Sequence, residues 1–173
     1  MDQDEASGGG PVVVGVHPRQ STAVVAEAAR FAAALGRPLL CAYVTEDSYL
    51  TEWDRAEIRQ EASLHPDTVG ADEESLALDL AASIAAALAG GQGDGDGVSE
   101  WSLRLLAGDP AKALARVAEE VDARLLVVGT HGRSFGSALE EWLAGAVATR
   151  LAHDQRRPVV VVPAARDTGR LLG

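Results

Sequence analysis

A glycine-containing turn carries the residues of this chain best suited to chemistry. An apolar run over residues 125–128 leads into Gly129-Thr130-His131-Gly132, which Arg133 and Ser134 follow. Where such a turn joins a parallel strand to a helix, its backbone N–H groups and the helix N-terminus can hold an anion. Hydroxyl groups and a guanidinium add further donors. The turn therefore predicts a site for a small anion or a mononucleotide, and a purely structural turn is the alternative that stays open.

His17 is the second candidate, because it directly follows the apolar run Val12-Val13-Val14-Gly15-Val16 and precedes Pro18. At the carboxyl end of a central strand it would lie beside the crevice of the sheet. A ligand contact and a hydrogen-bonded structural histidine are both consistent with this position. A metal site built from His17 and His131 is not expected, because no cysteine or carboxylate has ligand spacing around them.

Catalytic motifs point away from an enzyme. The chain has no Gly-x-Ser-x-Gly elbow and no full P-loop. Cys41 lies inside an apolar run, where a small buried side chain is a better interpretation than a nucleophile. We expect a protein that binds rather than catalyses.

The surrounding pattern predicts an alternating α/β fold. Apolar runs typical of buried strands alternate with helical spacing of apolar residues, four times, before a last run of four valines. Gly36 predicts a helix end, and Asp109-Pro110 predicts an N-cap with proline at the first helical position. Trp101, Leu103 and Leu105 alternate with polar residues, which places their strand at an edge of the sheet. The order predicts a parallel sheet with helices on both faces.

Length and composition predict one domain. The chain has 173 residues, of which 47% are hydrophobic and 24% charged. We predict a flexible N-terminal tail over residues 1–10, a single domain over 11–164 and a C-terminal tail over 165–173. A short helix over residues 53–63 is a further prediction.

Charge and hydropathy exclude several classes of partner. A formal net charge of −11 disfavours nucleic acid, and no apolar run reaches the roughly 18 residues of a membrane span. The acidic N-terminus does not resemble a secretory signal, and a single cysteine forbids an internal disulfide, so we expect a cytoplasmic protein. Arg150, Arg156 and Arg157 could form a local basic patch, but we interpret them as complementing the dipole of the preceding helix.

Three segments in order give the chain a resemblance to a known family. They are Gly108-Asp109-Pro110-Ala111, the run from Asp122 to Arg133, and Pro158-Val159-Val160-Val161-Val162-Pro163. Together they resemble the universal stress protein family over about residues 12–163. The resemblance implies a Rossmann-like open sheet of five parallel strands in the order 3-2-1-4-5, and a homodimer formed through the last strand. Four valines on an uncovered edge would favour aggregation, which supports pairing there independently.

Many members of that family bind ATP, so the resemblance also implies ATP, or another adenine nucleotide, with Mg²⁺. The family pattern is close to Gly-x2-Gly-x9-Gly-[Ser/Thr]. Here twelve residues separate Gly132 from Gly145, Ala146 replaces the hydroxyl residue, and His17 stands where an aspartate is typical. Carried onto this sequence, the resemblance places the nucleotide at Val16, His17, Val44, Gly108, Gly129, Thr130, Gly132, Arg133, Ser134, Gly145 and Ala146.

Three functions are consistent with the sequence. The first is a dimeric stress-response regulator that responds to a nucleotide or another anion at the Gly129–Gly132 turn. The second is a stress protein that acts without a ligand through protein–protein interaction, which the departures from the ATP pattern favour. The third is an enzyme of the wider nucleotide-binding α/β superfamily, for which the sequence offers no catalytic constellation.

Overall fold

The computed structural model describes residues 9–18, 20, 22–45, 71–90, 100–130, 147–153 and 155–163. Residues 147–153 are helical. The other elements, in chain order, are β1 (Val12–Val16), α1 (Thr22–Leu35), β2 (Leu39–Thr45), α2 (Ala71–Gly90), β3 (Trp101–Ala107), α3 (Pro110–Glu120), β4 (Leu125–Gly129) and β5 (Val159–Val162).

The strands form one parallel sheet in the order β3-β2-β1-β4-β5, which confirms the predicted fold class. β1 lies at the centre, and β3 and β5 form the two edges. The alternating pattern of β3 therefore predicted its edge position correctly. Because all strands run in the same direction, their carboxyl ends lie together at one end of the sheet, here called the carboxyl edge. Their amino ends lie together at the opposite end, here called the amino edge.

Each face of the sheet has its own apolar core. On β1, Val12 and Val14 pack with α1 and α2, whereas Val13 packs on the other face with α3 and Leu151. Alternate residues of a strand point to opposite faces, so a run of valines can serve both cores. The predicted arrangement of helices on both faces is confirmed.

Local signals set the ends of several helices. Gly36 follows α1 with φ 62°, a left-handed conformation that glycine adopts without strain. Asp109 caps α3 by accepting a hydrogen bond from the Lys112 N–H at 3.0 Å, with Pro110 at the first helical position as predicted. Leu35, the last residue of α1, has a side chain that is 40% exposed.

The start of the domain is fixed at the amino edge of the sheet. The Gly10 N–H donates to the Asp122 carbonyl at 3.1 Å, and the Arg124 N–H donates to the Pro11 carbonyl at 2.9 Å. Arg37 donates to the Gly9 carbonyl at 2.7 Å. Gly9 and Gly10, the last residues of the predicted N-terminal tail, are thus bonded to the domain.

Three of the sequence predictions concern residues outside the described ranges. The helix over residues 53–63, residues 1–8 and the predicted C-terminal tail lie outside the described residues. In the part of the chain that is described, no helix is long and apolar enough to cross a membrane.

Candidate functional site

The two central strands separate at the carboxyl edge. Cα pairing between β1 and β4 runs from Val12–Leu125 to Val14–Val127 and does not reach Val16 or Gly129. β1 stays paired with β2 up to its last residue, and β4 pairs with β5 up to Gly129. The sheet therefore opens between β1 and β4, where the direction of chain winding reverses. Parallel α/β sheets bind ligands at such a crevice.

Gln20 contacts both sides of this crevice. The side-chain carbonyl of Gln20 accepts a hydrogen bond from the backbone N–H of His17 at 3.0 Å. The backbone N–H of Gln20 donates to the backbone carbonyl of His17 at 2.9 Å. A Cβ atom on Gly129 would lie 2.6 Å from Gln20 Nε2 and 2.7 Å from Val24 Cγ2. Glycine is therefore required at position 129, because the start of α1 packs directly on it. Gln20 was not predicted, and a polar residue just before a helix was its only sequence signal.

His17 lies beside an aromatic ring that was not predicted either. The ring centroids of His17 and Tyr43 are 6.3 Å apart with a 53° angle between their planes. Tyr43 pairs in register with Val16, so the sheet itself brings the two rings together. His17 is exposed and Tyr43 is half-buried. The pair forms an aromatic surface where β1 and β2 end, here called the aromatic wall, and a flat base can stack on such a surface.

The predicted residues Val16 and Val44 serve mainly as framework. Val16 is 7% exposed and belongs to the core beside α1. Val44 is half-buried and packs against the opposite core. Ligand contacts from either residue would come chiefly from the backbone.

Gly108 closes the carboxyl end of β3. Its N–H donates to the Thr45 carbonyl at 3.0 Å, and its φ of 105° is strained for any other residue.

Asp109, the next residue, accepts a hydrogen bond from Arg150 at 2.7 Å in addition to the one that caps α3. Partial burial raises the pKa of the Asp109 carboxyl, but the Lys112 N–H and the Arg150 guanidinium outweigh this and hold it below its usual value. The ion pair ties helical residues 147–153 to the carboxyl edge.

The glycine turn is only partly described. The Thr130 N–H donates to the Val162 carbonyl at 2.9 Å, so this amide extends the sheet and is not a donor for an anion. For Thr130, this corrects the expectation that the backbone N–H groups of the turn are open to an anion. The other predicted turn residues, Gly132, Arg133, Ser134, Gly145 and Ala146, lie outside the described residues, as does His131.

The described residues offer little for metal or thiol chemistry. No group of three or more His, Cys, Asp or Glu side chains that could hold a metal is found among them. Cys41 is fully buried in β2, and this burial raises the pKa of its thiol to about 12. It therefore stays protonated at neutral pH and is a poor nucleophile.

The fold is similar to several solved structures. A universal stress protein in complex with cAMP is 23% identical, with a TM-score of 0.55, and the match covers 91% of this chain and 99% of that one. A universal stress protein from Archaeoglobus fulgidus in complex with dAMP is 21% identical, with a TM-score of 0.51, over 88% and 96% of the two chains. Universal stress protein UspA from Lactobacillus plantarum is 15% identical, with a TM-score of 0.56, over 89% and 98%. At these identities the likeness establishes the fold.

The assignment of this chain to a protein family rests on its whole sequence. Among curated proteins no significant match is found. The family model described as the Universal stress protein family, in contrast, matches residues 10–163, from the glycine fixed at the amino edge to the residue after β5. This chain belongs to the universal stress protein family.

Proposed function

We propose that this protein is a stress-response regulator that binds an adenine mononucleotide at the carboxyl edge of the sheet, between β1 and β4. The separation of these strands beyond Val14–Val127 is the observation that carries the proposal. It opens the sheet at the position where doubly wound folds take nucleotides.

The residues around the opening suggest an orientation for the ligand. His17 and Tyr43 offer an aromatic surface for the base. The end of β4 at Gly129, with no side chain of its own, leads into the turn whose sequence supplies hydroxyls and a cation. The phosphate would thus lie toward the β4 turn and the base toward β2.

A monophosphate is the preferred ligand for two reasons. The structures of similar fold with bound cAMP and dAMP hold nucleotides with a single phosphate group. The longer Gly132–Gly145 spacing and Ala146 depart from the pattern associated with a triphosphate. ATP with Mg²⁺ is the alternative ligand.

The protein would act through occupancy of this site rather than by catalysis. The one cysteine of the chain is buried, with the pKa of its thiol raised to about 12. A measurement of phosphate release from ATP, expected to stay at the buffer rate, checks this part of the proposal.

The binding experiment is a calorimetric titration with AMP, cAMP and ATP·Mg²⁺. His17→Ala removes one ring of the aromatic wall from an exposed position and should weaken AMP binding about tenfold, the effect of one lost base-stacking contact. Gly129→Ala places a methyl group against Gln20 and Val24 and should abolish binding. Gly90→Ala is the matched control, because a Cβ there meets no atom within 4 Å.

Three results would contradict the proposal. They are absence of heat with every nucleotide from folded protein, unchanged AMP affinity in His17→Ala, or equal losses in Gly129→Ala and Gly90→Ala. Circular dichroism of each variant verifies that the fold is kept. The first result would favour a protein that acts through partners without a ligand.

We further propose that the protein is a homodimer paired through β5. This strand is bonded to β4 along one side, and no described strand pairs with its other side. Val161 is 44% exposed on it. An apolar edge strand with no charged residue and no proline among its own four residues tends to pair with another strand, and a second copy of the chain supplies one.

A further inference from the structure

A cleft lies at the amino edge of the sheet, opposite the proposed nucleotide site. It has a volume of about 770 Å³ and is formed where β1, β4 and β5 begin and α3 ends. The described residues that line it include Gly9, Glu119, Asp122, Arg124, Arg156 and Arg157. The volume is in the range of small-molecule sites, roughly 300–1,000 Å³.

The cleft collects positive charge on a strongly acidic protein. Among the described residues, three arginines line it against two acidic residues, whereas the whole chain has a formal net charge of −11. Asp122 already has a partner of opposite charge, because Arg157 Nη2 lies 3.0 Å from its carboxylate. In the described part of the chain, neither Arg124 nor Arg156 forms an ion pair or a side-chain hydrogen bond. Of the lining residues that the structure describes, Arg124, Arg156 and Glu119 are thus left without a charge partner, which gives two guanidinium groups against one carboxylate.

The partial negative charge at the end of α3 is largely capped. The Val117 carbonyl accepts from the Val121 N–H, the Glu119 carbonyl accepts from the Asp122 N–H, and the Ala118 carbonyl accepts from the Ala123 N–H. The Asp122 carbonyl accepts from the Gly10 N–H. Carbonyl oxygens with donors of their own oppose an anion less than free ones.

Arg157 holds one wall of the cleft in place. Its Nε donates to the Ala123 carbonyl at 2.9 Å, and its backbone N–H donates to the Gln155 side chain at 2.7 Å. Its side chain is 22% exposed, so it is fixed against the segment before β4. Arg157 is therefore a positioning residue, and Arg124 and Arg156 are the groups available to a ligand.

We propose that this cleft binds a compact polyanion, such as a diphosphate or a tricarboxylate, through Arg124 and Arg156. The planar guanidinium group matches phosphate and carboxylate oxygens in paired hydrogen bonds. The site is separate from the nucleotide site, since it lies at the other end of the strands. A stress protein with both sites could respond to two ligands.

The test titrates the full chain with pyrophosphate and, separately, with citrate. Arg124→Gln combined with Arg156→Gln should weaken binding more than about tenfold, because two charge-assisted contacts are lost. Glu119→Gln should strengthen it, because the remaining acid is removed. The double variant Arg30→Gln with Lys112→Gln is the control, since it removes the same charge from exposed positions elsewhere.

Amide spectra assign the site independently of affinity. With ¹⁵N-labelled protein, pyrophosphate should shift the signals of Gly9, Ala123 and Arg124 and leave those of Gly129 and Thr130 unchanged. Binding of either anion with this pattern supports the proposal, and the preferred anion identifies the ligand chemistry. No saturable binding, shifts confined to Gly129 and Thr130, or an equal loss in the control variant would overturn it. The His17→Ala variant should bind pyrophosphate normally, so failure of this site is distinguishable from failure of the nucleotide site.

Discussion

At the scale of single residues, the backbone at Gly10 leaves no room for a side chain. A Cβ atom there would lie 2.2 Å from the carbonyl oxygens of both Val121 and Asp122. Gly9 differs, because a Cβ there would meet the end of the Arg37 side chain at 2.8 Å, and that side chain can move. Two adjacent glycines in one sequence run thus have different requirements, which the sequence alone does not distinguish.

We expect Gly10→Ala to lower the free energy of unfolding by about 2–3 kcal/mol, the cost of forcing packed backbone apart. Gly9→Ala should cost less than about 1 kcal/mol, because only Arg37 has to move. Urea denaturation followed by circular dichroism measures both. Equal effects of the two substitutions would refute this account of the amino edge.

Cys41 gives a pH dependence of stability with a defined sign. Burial raises the pKa of its thiol from 9.0 to about 12, so the unfolded chain loses the proton first as pH rises. The contribution of the buried, protonated thiol to the free energy of unfolding is complete below pH 9 and is lost between pH 9 and about 12. Between pH 9 and 10 the loss is about 1 kcal/mol.

The measurement for Cys41 is the difference in unfolding free energy between the natural chain and Cys41→Ala, taken at pH 8, 9 and 10. Subtracting the variant removes the contribution of other groups that titrate in this range. A difference that does not change with pH would show that the thiol is not held in its neutral form.

Part of the candidate site could be predicted at this scale. His17 follows a run of valines directly, so its position at the carboxyl edge came from local pattern. The contact of Gln20 with Gly129 could not be predicted, because it joins residues 109 positions apart through the packing of α1 on β4. The Thr130 amide was misjudged because its acceptor, Val162, belongs to another strand.

At the scale of elements, Asp109 performs two structural tasks. It caps α3 through the Lys112 N–H and binds Arg150 on helical residues 147–153. We expect Asp109→Ala to lower stability by about 1–2 kcal/mol through loss of the cap. Asp109→Asn should cost clearly less, because an amide oxygen still caps the helix.

The pH dependence separates the two tasks of Asp109. Because the pKa of this carboxyl is lowered on folding, the stability it contributes is present above its unfolded pKa and is lost as pH falls through its folded pKa. The difference between the natural chain and Asp109→Asn should therefore shrink in acid. Thermal unfolding between pH 3 and 7 measures this, and a constant difference would contradict the ion pair.

Helix ends were predicted well because they are local. Asp109-Pro110 and Gly36 fix their helices through interactions within a few residues. Arg157, which follows residues 147–153, was interpreted wrongly from the same kind of local reasoning. Arg157 bonds to Asp122 and the Ala123 carbonyl, neighbours created by the pairing of β5 with β4, rather than to the helix before it.

At the scale of the whole molecule, alternation of strands and helices predicted the fold class, whereas the strand order came from the family resemblance. Alternating apolar and polar residues identified β3 as an edge. Nothing local distinguishes β1 from β5, since both are runs of valine. Which run is central depends on the winding of the chain, and that is a property of the complete fold.

The proposed dimer makes a prediction at this scale. Val161→Lys introduces a charge at the exposed position of β5 and should change the mass in solution from twice 17.9 kDa to 17.9 kDa. Leu78→Lys is the matched control, because Leu78 is 65% exposed on α2, away from the edge strand. Light scattering after gel filtration measures both, and a monomeric natural chain would disprove the dimer.

The central position of β1 has a consequence for biosynthesis. β1, β2 and β3 are all made by residue 107, but β4, the other neighbour of β1, is complete only at Gly129. At roughly 5–20 residues per second, the ribosome needs roughly 1–4 s to add that segment. During this interval the nascent chain presents the bare valine edge of β1, which is an aggregation hazard. Slow codons between β3 and β4 would therefore lengthen the time in which a chaperone has to shield the middle of the future sheet.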